Sequence, residues 1–510
     1  MKTVLIVLDT LRRDYLQIHG NPWVQSPNIS RLARSGLTFD NHWVGSLPCI
    51  PARREFMTGR YNFIYRGWGP IEPYDDTLPN ELRKKRVFSH LLTDHYHYFE
   101  LGGENYHTSF DTWEFFRGQE KDPWVSLVDR VALPEGWLPH RTQNHLNRMV
   151  QQQEEDFSGP RTAMAAMQWL EANRKADDWF LQVEIFDPHE PFYCTEKYRK
   201  MYGDTWNGPV FDWPPYDIVK ESPAAIEHIR KCYAGLLTMT DHWVGRIFSK
   251  LEELGLWEDT LVVLTTDHGT MLGEHQYWMK WYMPLYNEIA RIPLIVKLPG
   301  LAKAGTRVPV LTQTIDIMPT ILDFHGCPPP PHVHGKSLRA AMEGRPIRED
   351  AILGYFGMAM NITDGRYIYF RNPVRPDGGP LYAYTAMPSG GVAIWYPREV
   401  HGRIEMGRYF GHTYNMPLYK IPEQGKVPRA LPGQPDYVAR HELYDVLADP
   451  QQDDPLHNPD VEAHFVKRIT AHLKACEAPE EHFVRLGISS QTGVATPADQ
   501  AVTRAQLQVV

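Results

Sequence analysis

The chain has 510 residues, 53 Lys and Arg against 62 Asp and Glu, a formal charge of −9 and 42% hydrophobic residues. That composition is globular and can bury a large core, and its acidic balance argues against a nucleic-acid or anionic-membrane partner, either of which needs a basic face. No apolar run reaches the roughly 18–20 residues that span a bilayer. The five cysteines, Cys49, Cys194, Cys232, Cys327 and Cys476, are odd in number and widely spaced, which excludes a disulfide framework and a thiolate zinc site.

The first apolar run, Thr3–Leu8, is too short for a signal sequence and lacks a small-residue cleavage site, so it reads as a buried strand. With reduced cysteines, the default compartment is the cytoplasm. The basic run Leu82–Arg86 ends a helix begun near Pro79, where cations suit the dipole. A helix Pro160–Arg174 opens after Ser158-Gly159, and a longer one, Pro223–Leu254, stops at Gly255. Further buried strands are expected at Trp179–Phe186, Thr260–Thr265 and Pro293–Leu298. Continuous rather than alternating hydrophobicity, interleaved with helices, predicts an α/β fold. Its central sheet is mostly parallel, with helices on both faces.

After the Pro-rich run Cys327–Pro331 the pattern changes. A hairpin is expected about Asp364-Gly365, between Ala359–Thr363 and Arg366–Phe370. Residues 371–440 are rich in Pro, Gly and Tyr and read as a lid, binding wall or interface, followed by a helix Val461–Ala475. The expected division is 1–340 as the α/β domain and 341–488 as a smaller region with an antiparallel sheet. Residues 489–510 form a tail that could be an exchanged arm, which leaves a homo-oligomer open.

Three expected strands deliver the same chemistry. Thr3–Leu8 runs into Asp9, Trp179–Phe186 into Asp187-Pro188-His189, and Thr260–Thr265 into Asp267-His268-Gly269. Ligands bind at the carboxyl ends of strands in open parallel sheets, and carboxylates with imidazoles there suit a metal. An Asp after one strand is ordinarily a helix cap; three converging strand ends point instead to a metal-dependent α/β enzyme, with its substrate open.

The segment Leu47-Pro48-Cys49-Ile50-Pro51-Ala52-Arg53, closed by Thr58-Gly59-Arg60, resembles the type I sulfatase signature Cys-x-Pro-x-Arg followed by Thr-Gly. Ala52 stands where serine is more usual. Ser26–Ala33, Thr260–Lys280, Arg291–Val296, Asp316–Thr320 and Glu442–Asp445 with Asp449-Pro450 fit the same family in order. The resemblance implies an alkaline phosphatase-like fold and hydrolysis of small sulfate monoesters. It also implies oxidation of Cys49 to formylglycine by a formylglycine-generating enzyme.

Carried over residue by residue, the resemblance implies that Asp9, Cys49, Asp267 and His268 hold one divalent cation. The single imidazole makes Mn²⁺ plausible beside Ca²⁺. Arg53, His95 and Lys280 would hold the sulfuryl oxygens. One hydroxyl of hydrated formylglycine would attack sulfur, with His189 protonating the leaving alcohol; His97 would deprotonate the second hydroxyl to release sulfate. Asp267-His268 also occurs in phosphonate monoester hydrolases, so a phosphonate monoester or phosphodiester hydrolase is the nearest alternative. A catalytically silent binding protein is the alternative if Cys49 stays a thiol. The alcohol half of the substrate is expected to meet the stretch around Trp113 and Trp124 and the 371–440 loops.

Overall fold

The computed structural model describes residues 1–129, 131–135, 137–389, 391–392, 394–432 and 441–496. Its central sheet has eight strands in the order Thr306–Val308, Leu37–Phe39, Leu294–Lys297, Thr260–Thr265, Lys2–Leu8, Trp179–Ile185, Phe88–Thr93 and Thr112–Phe115. Neighbours run parallel throughout, except that Leu294–Lys297 is antiparallel to both of its partners. That exception departs from the parallel strand expected at Pro293–Leu298. Leu294 pairs with Thr265, so the chain re-enters at the edge it left. No long crossover helix carries it back, as a parallel return requires.

Alternate side chains of the first strand feed two cores, which is why it reads as unbroken hydrophobicity. Val4, Ile6 and Leu8 pack with residues of helices Ser158–Ala172 and Pro223–Glu253. Leu5 and Val7 pack on the other face with Ile50 and Phe56 of helix Cys49–Thr58 and Ile321 of helix Ile317–Phe324. The 223–253 helix begins as its sequence predicts: Ser222 Oγ accepts from the Ala225 amide and Pro223 occupies the first turn. Gly255, with φ +69°, supplies the left-handed residue after it. The basic run Leu82–Arg86 ends a short helix, Leu78–Arg83.

The C-terminal region builds a five-stranded sheet in the order Glu442–Asp445, Tyr367–Arg371, Met360–Thr363, Ala351–Tyr355 and Ser46–Leu47. The predicted hairpin is present. The last strand, parallel to Ala351–Tyr355, comes from the N-terminal part of the chain and ends two residues before Cys49. Among the described residues of 371–432, Tyr382–Thr385, Leu418–Pro422 and Glu405–Gly407 form an antiparallel sheet that the composition did not suggest. The start of the expected tail folds back, with the Ser489 amide donating to the Val494 carbonyl at 2.9 Å. The rest of that tail, from 497, lies outside the described residues.

Candidate active site

Asp9, Asp187 and Asp267 follow the ends of three adjacent strands of the sheet, and helix Cys49–Thr58 brings its first residue to the same edge. One ligand atom each from Asp9, Cys49, Asp267 and His268 lies within 4.8 Å of the others, all in buried side chains. The His268 Nδ1–H donates to the Gly269 carbonyl at 2.9 Å. That fixes the tautomer and leaves the Nε2 lone pair directed to the cluster, 3.3 Å from Cys49 Sγ and 3.4 Å from Asp267 Oδ2. Burial lowers the His268 pKa despite Asp267, so the ring is the neutral species that ligates a metal.

Two carboxylates buried side by side demand positive charge. Burial and the neighbouring Asp267 hold Asp9 above the usual carboxylate range. Asp267, equally buried, is driven below the usual carboxylate range by His268, Arg53 and Lys280. The Oδ2 of Asp9 is buried, and among the described residues it meets the Arg53 guanidinium at 2.8 Å without a well-aligned hydrogen bond. With two carboxylate donors, a neutral imidazole and the side chain at 49 converging on one point, the residues fit a divalent cation.

Arg53 lies among the acids rather than free to meet an incoming anion. Its guanidinium is 2.8 Å from Asp9 Oδ2, 2.7 Å from Asp267 Oδ2 and 3.7 Å from Glu184 Oε2. It also donates to the Cys49 carbonyl at 3.2 Å, four residues back along the helix. The spacing of Cys49 and Arg53 therefore places one helical face against the paired acids.

The oxyanion groups gather beside this cluster. Lys280 Nζ is 3.0 Å from Thr10 Oγ1 and 3.6 Å from Glu190 Oε2. Burial works against its charge, but Glu190, Cys49 and Asp9 outweigh that and raise its pKa. His95 Nε2 stands 3.9 Å from Asp9 Oδ2, and both its ring nitrogens are buried without a hydrogen-bond partner among the described residues. Burial, with Arg53 and the other histidines nearby, holds His95 neutral. It can thus offer an N–H to an anion, but not the full charge a lysine would bring. His97 lies beyond it, ring centroids 5.2 Å apart, and its Nδ1–H donates to Glu100 at 2.6 Å.

His189 carries its own carboxylate frame. Its Nδ1–H donates to the Glu190 carbonyl at 2.6 Å, with Glu120 Oε1 at 3.3 Å and Glu190 Oε2 at 3.4 Å from the same nitrogen. Tyr96 donates to Glu120 at 2.8 Å, and Tyr216 donates to Glu190. Although buried, Glu190 is held down at about 2 by His189, Lys280 and Tyr216. Glu120, Glu184, Thr10 and Tyr216 did not stand out in the sequence. For Glu184 the signal was there: an acid at a fully buried position of a strand otherwise rich in apolar residues calls for a buried cation.

As a thiol, Cys49 is held protonated by burial and Asp9, a poor nucleophile. The other four cysteines are buried and free as well. A cavity of about 500 Å³ opens beside residue 49, lined by Leu47 and Pro48, by Trp281 next to Lys280, and by Trp68. Trp68 packs edge-on against His97 at 5.1 Å. Its far wall comes from the 371–440 region, whereas Trp113 and Trp124 lie elsewhere. Trp113 is 44% exposed on the outermost strand of the sheet, packed with Phe99 and His107. Trp124 sits near Arg161 and Gly118. Neither lines the cavity.

A mostly parallel sheet presenting this set of acids, imidazoles and a helix-borne Cys49 defines a hydrolase of the alkaline phosphatase-like superfamily. The chain belongs to the sulfatase family, whose model, described as Sulfatase, matches residues 2–327. Over 402 residues it is 29% identical to the multifunctional alkaline phosphatase superfamily protein PehA of Trinickia caryophylli, covering 67% of this chain and 77% of that one. It is 26% identical to an arylsulfatase of Clostridium perfringens over 391 residues, 67% of this chain and 78% of that one. The crystal structure of the phosphonate monoester hydrolase of Agrobacterium radiobacter shares the fold. It has a TM-score of 0.63 and 19% identity over 93% of this chain and 95% of that one.

Proposed function

We propose that this hydrolase cleaves small sulfate monoesters using formylglycine derived from Cys49, with a divalent cation held by Asp9, residue 49, Asp267 and His268. The observation that carries the reading is the convergence of those four ligand atoms within 4.8 Å, flanked by Lys280, His95 and His189. A bound cation supplies charge to the paired acids and polarises the oxygens of the ester. Formylglycine supplies, in its hydrated form, the oxygen nucleophile that a protonated buried thiol cannot.

The remaining work falls to the chain's own groups. Lys280, fixed by Thr10 and Glu190, and the unpaired N–H of His95 bind the non-bridging oxygens where charge develops. Arg53 holds Asp9 and Asp267 in place. His189, with Nδ1–H engaged by Glu190, would protonate the leaving oxygen from Nε2 as the imidazolium that Glu120 and Glu190 favour. His97, whose Nδ1 is engaged by Glu100, keeps Nε2 free to take the proton that accompanies sulfate release. Calcium and manganese both suit this donor set.

A second reading, hydrolysis of phosphonate monoesters, is favoured by the Asp267-His268 pair and by likeness to a multifunctional superfamily member and to phosphonate monoester hydrolases. Turnover of 4-nitrophenyl sulfate and 4-nitrophenyl phenylphosphonate by the same matured preparation ranks the two. A higher kcat/KM for the sulfate supports the first reading, and a higher one for the phosphonate replaces it with the second.

A further inference from the structure

Resting on the sulfate-ester reading, we infer that the cavity beside residue 49 is the binding site for the alcohol half of the substrate, and that this alcohol is a flat aromatic larger than one ring. The cavity begins at the site itself. Pro48 precedes Cys49, Trp281 follows Lys280, and Trp68 bridges the two sides, 6.3 Å from Trp281 and 5.1 Å from His97 between ring centroids. An ester whose sulfuryl group sits among Lys280, His95 and residue 49 therefore projects its alcohol into this space. About 500 Å³ is much more than a phenyl ring fills and lies in the range of pockets that enclose multi-ring ligands.

The walls decide the chemistry. Trp68, Trp281, Phe356 and Trp395 present ring faces or edges, the surfaces against which flat aromatic ligands stack. Several of the polar side chains among them are already paired. Arg66 is bound to Glu72 and to Thr385, Thr385 Oγ1 in turn donates to Glu72, and Glu423 accepts from the Tyr396 hydroxyl at 2.7 Å. Among the described residues, the buried lining atoms Arg66 Nε, Trp281 Nε1, Tyr355 Oη and Ser389 Oγ have no hydrogen-bond partner, and all four are donors. A flat aromatic alcohol stacks on those rings with few hydroxyls of its own to bury, each of which would cost about 1–3 kcal/mol if left unpaired. Acceptor atoms on that alcohol would meet the unpaired donors of the wall.

The rim points the same way. Trp395 and Ile394 are 69% and 56% exposed, yet both line the cavity. Large apolar side chains gathered at a cavity mouth gain from being covered, and a second ring extending outward from the reacting oxygen would cover them.

The test compares kcat/KM for phenyl sulfate, 4-phenylphenyl sulfate and glucose 6-sulfate; the two phenols are similar leaving groups, so their ratio reads binding of the second ring. The expected result is a preference of about tenfold or more for 4-phenylphenyl sulfate, expressed mainly in KM, with glucose 6-sulfate slowest. Trp395→Ala should bring the ratio toward one. Independently of any variant, 4-phenylphenol should inhibit the wild-type enzyme competitively at lower concentration than phenol. A ratio at or below one, equal inhibition by the two phenols, or faster turnover of glucose 6-sulfate overturns this inference alone. No turnover of any of the three esters overturns the sulfate-ester reading and this inference together.

Discussion

His268 Nε2 lies 3.3 Å from Cys49 Sγ, and that contact joins the two segments on which the site depends. One is the turn after the central strand Thr260–Thr265; the other is the start of the Cys49–Thr58 helix. The imidazole is aimed by its bond to Gly269, so its replacement separates ligation from scaffolding. His268→Ala should lose bound metal, measured by elemental analysis, and at least about 100-fold in kcat/KM. His268→Asn keeps an oxygen donor and should retain metal with a preference moved toward Ca²⁺. Chelation should abolish wild-type activity, and Mn²⁺ or Ca²⁺ should restore it.

Gly269 has its own role. A Cβ at that position would overlap the Glu288 carbonyl oxygen, and backbone cannot yield as a flexible side chain does. Gly269→Ala should displace the His268 ring. The expected losses are about 1–3 kcal/mol of stability by denaturant titration and weaker metal binding.

Glu120 should matter only when the leaving alcohol needs a proton. It stands 3.3 Å from His189 Nδ1 and, with Glu190, opposes the burial that lowers the His189 pKa. Lys280 pushes the other way, while Tyr96 and Tyr216 hold the two acids. Removing the Glu120 charge in Glu120→Gln destabilises imidazolium, so the alkaline limb of kcat should move to lower pH. Turnover of phenyl sulfate should fall roughly tenfold, while turnover of 4-nitrophenyl sulfate should change little. Equal losses on both esters would mean that Glu120 serves structure alone.

Glu55 links stability to pH. It is buried on the Cys49–Thr58 helix, accepting from the Ser46 hydroxyl, and burial raises its pKa to about 8. The folded state therefore keeps a proton that the unfolded chain gives up near 4.5. Its contribution is fully present below that value and is lost as pH rises through about 8. The loss is on the order of 5 kcal/mol. Denaturation midpoints between pH 5 and 9 should fall for the wild type and flatten for Glu55→Gln.

Much of this was legible in the chain because strand ends and a short motif carry it. Asp9, Asp267 and His268 each follow an apolar run whose burial fixes where the next residue must point, and Cys49 and Arg53 share one helical face. Less legible were contacts that only tertiary packing makes. Arg53 reads as an anion-binding residue, yet it pairs with Asp9, Asp267 and Glu184, because buried acids from three strands claim it first. Glu120 reaches His189 across more than sixty residues of chain, with no local pattern to announce it. Trp113 and Trp124 drew attention by density of aromatics, whereas the cavity takes Trp68, Trp281 and Trp395 from three distant segments. The 371–440 sheet was hidden because its strands, three to five residues long, are too short to show a period.

The central claim concerns the chemical state of residue 49, and its most direct test is peptide mass spectrometry of that segment after co-expression with a formylglycine-generating enzyme. The account predicts the mass of an aldehyde in place of the thiol, with activity rising in proportion to conversion and absent in Cys49→Ala. An intact thiol in a fully active enzyme would contradict it.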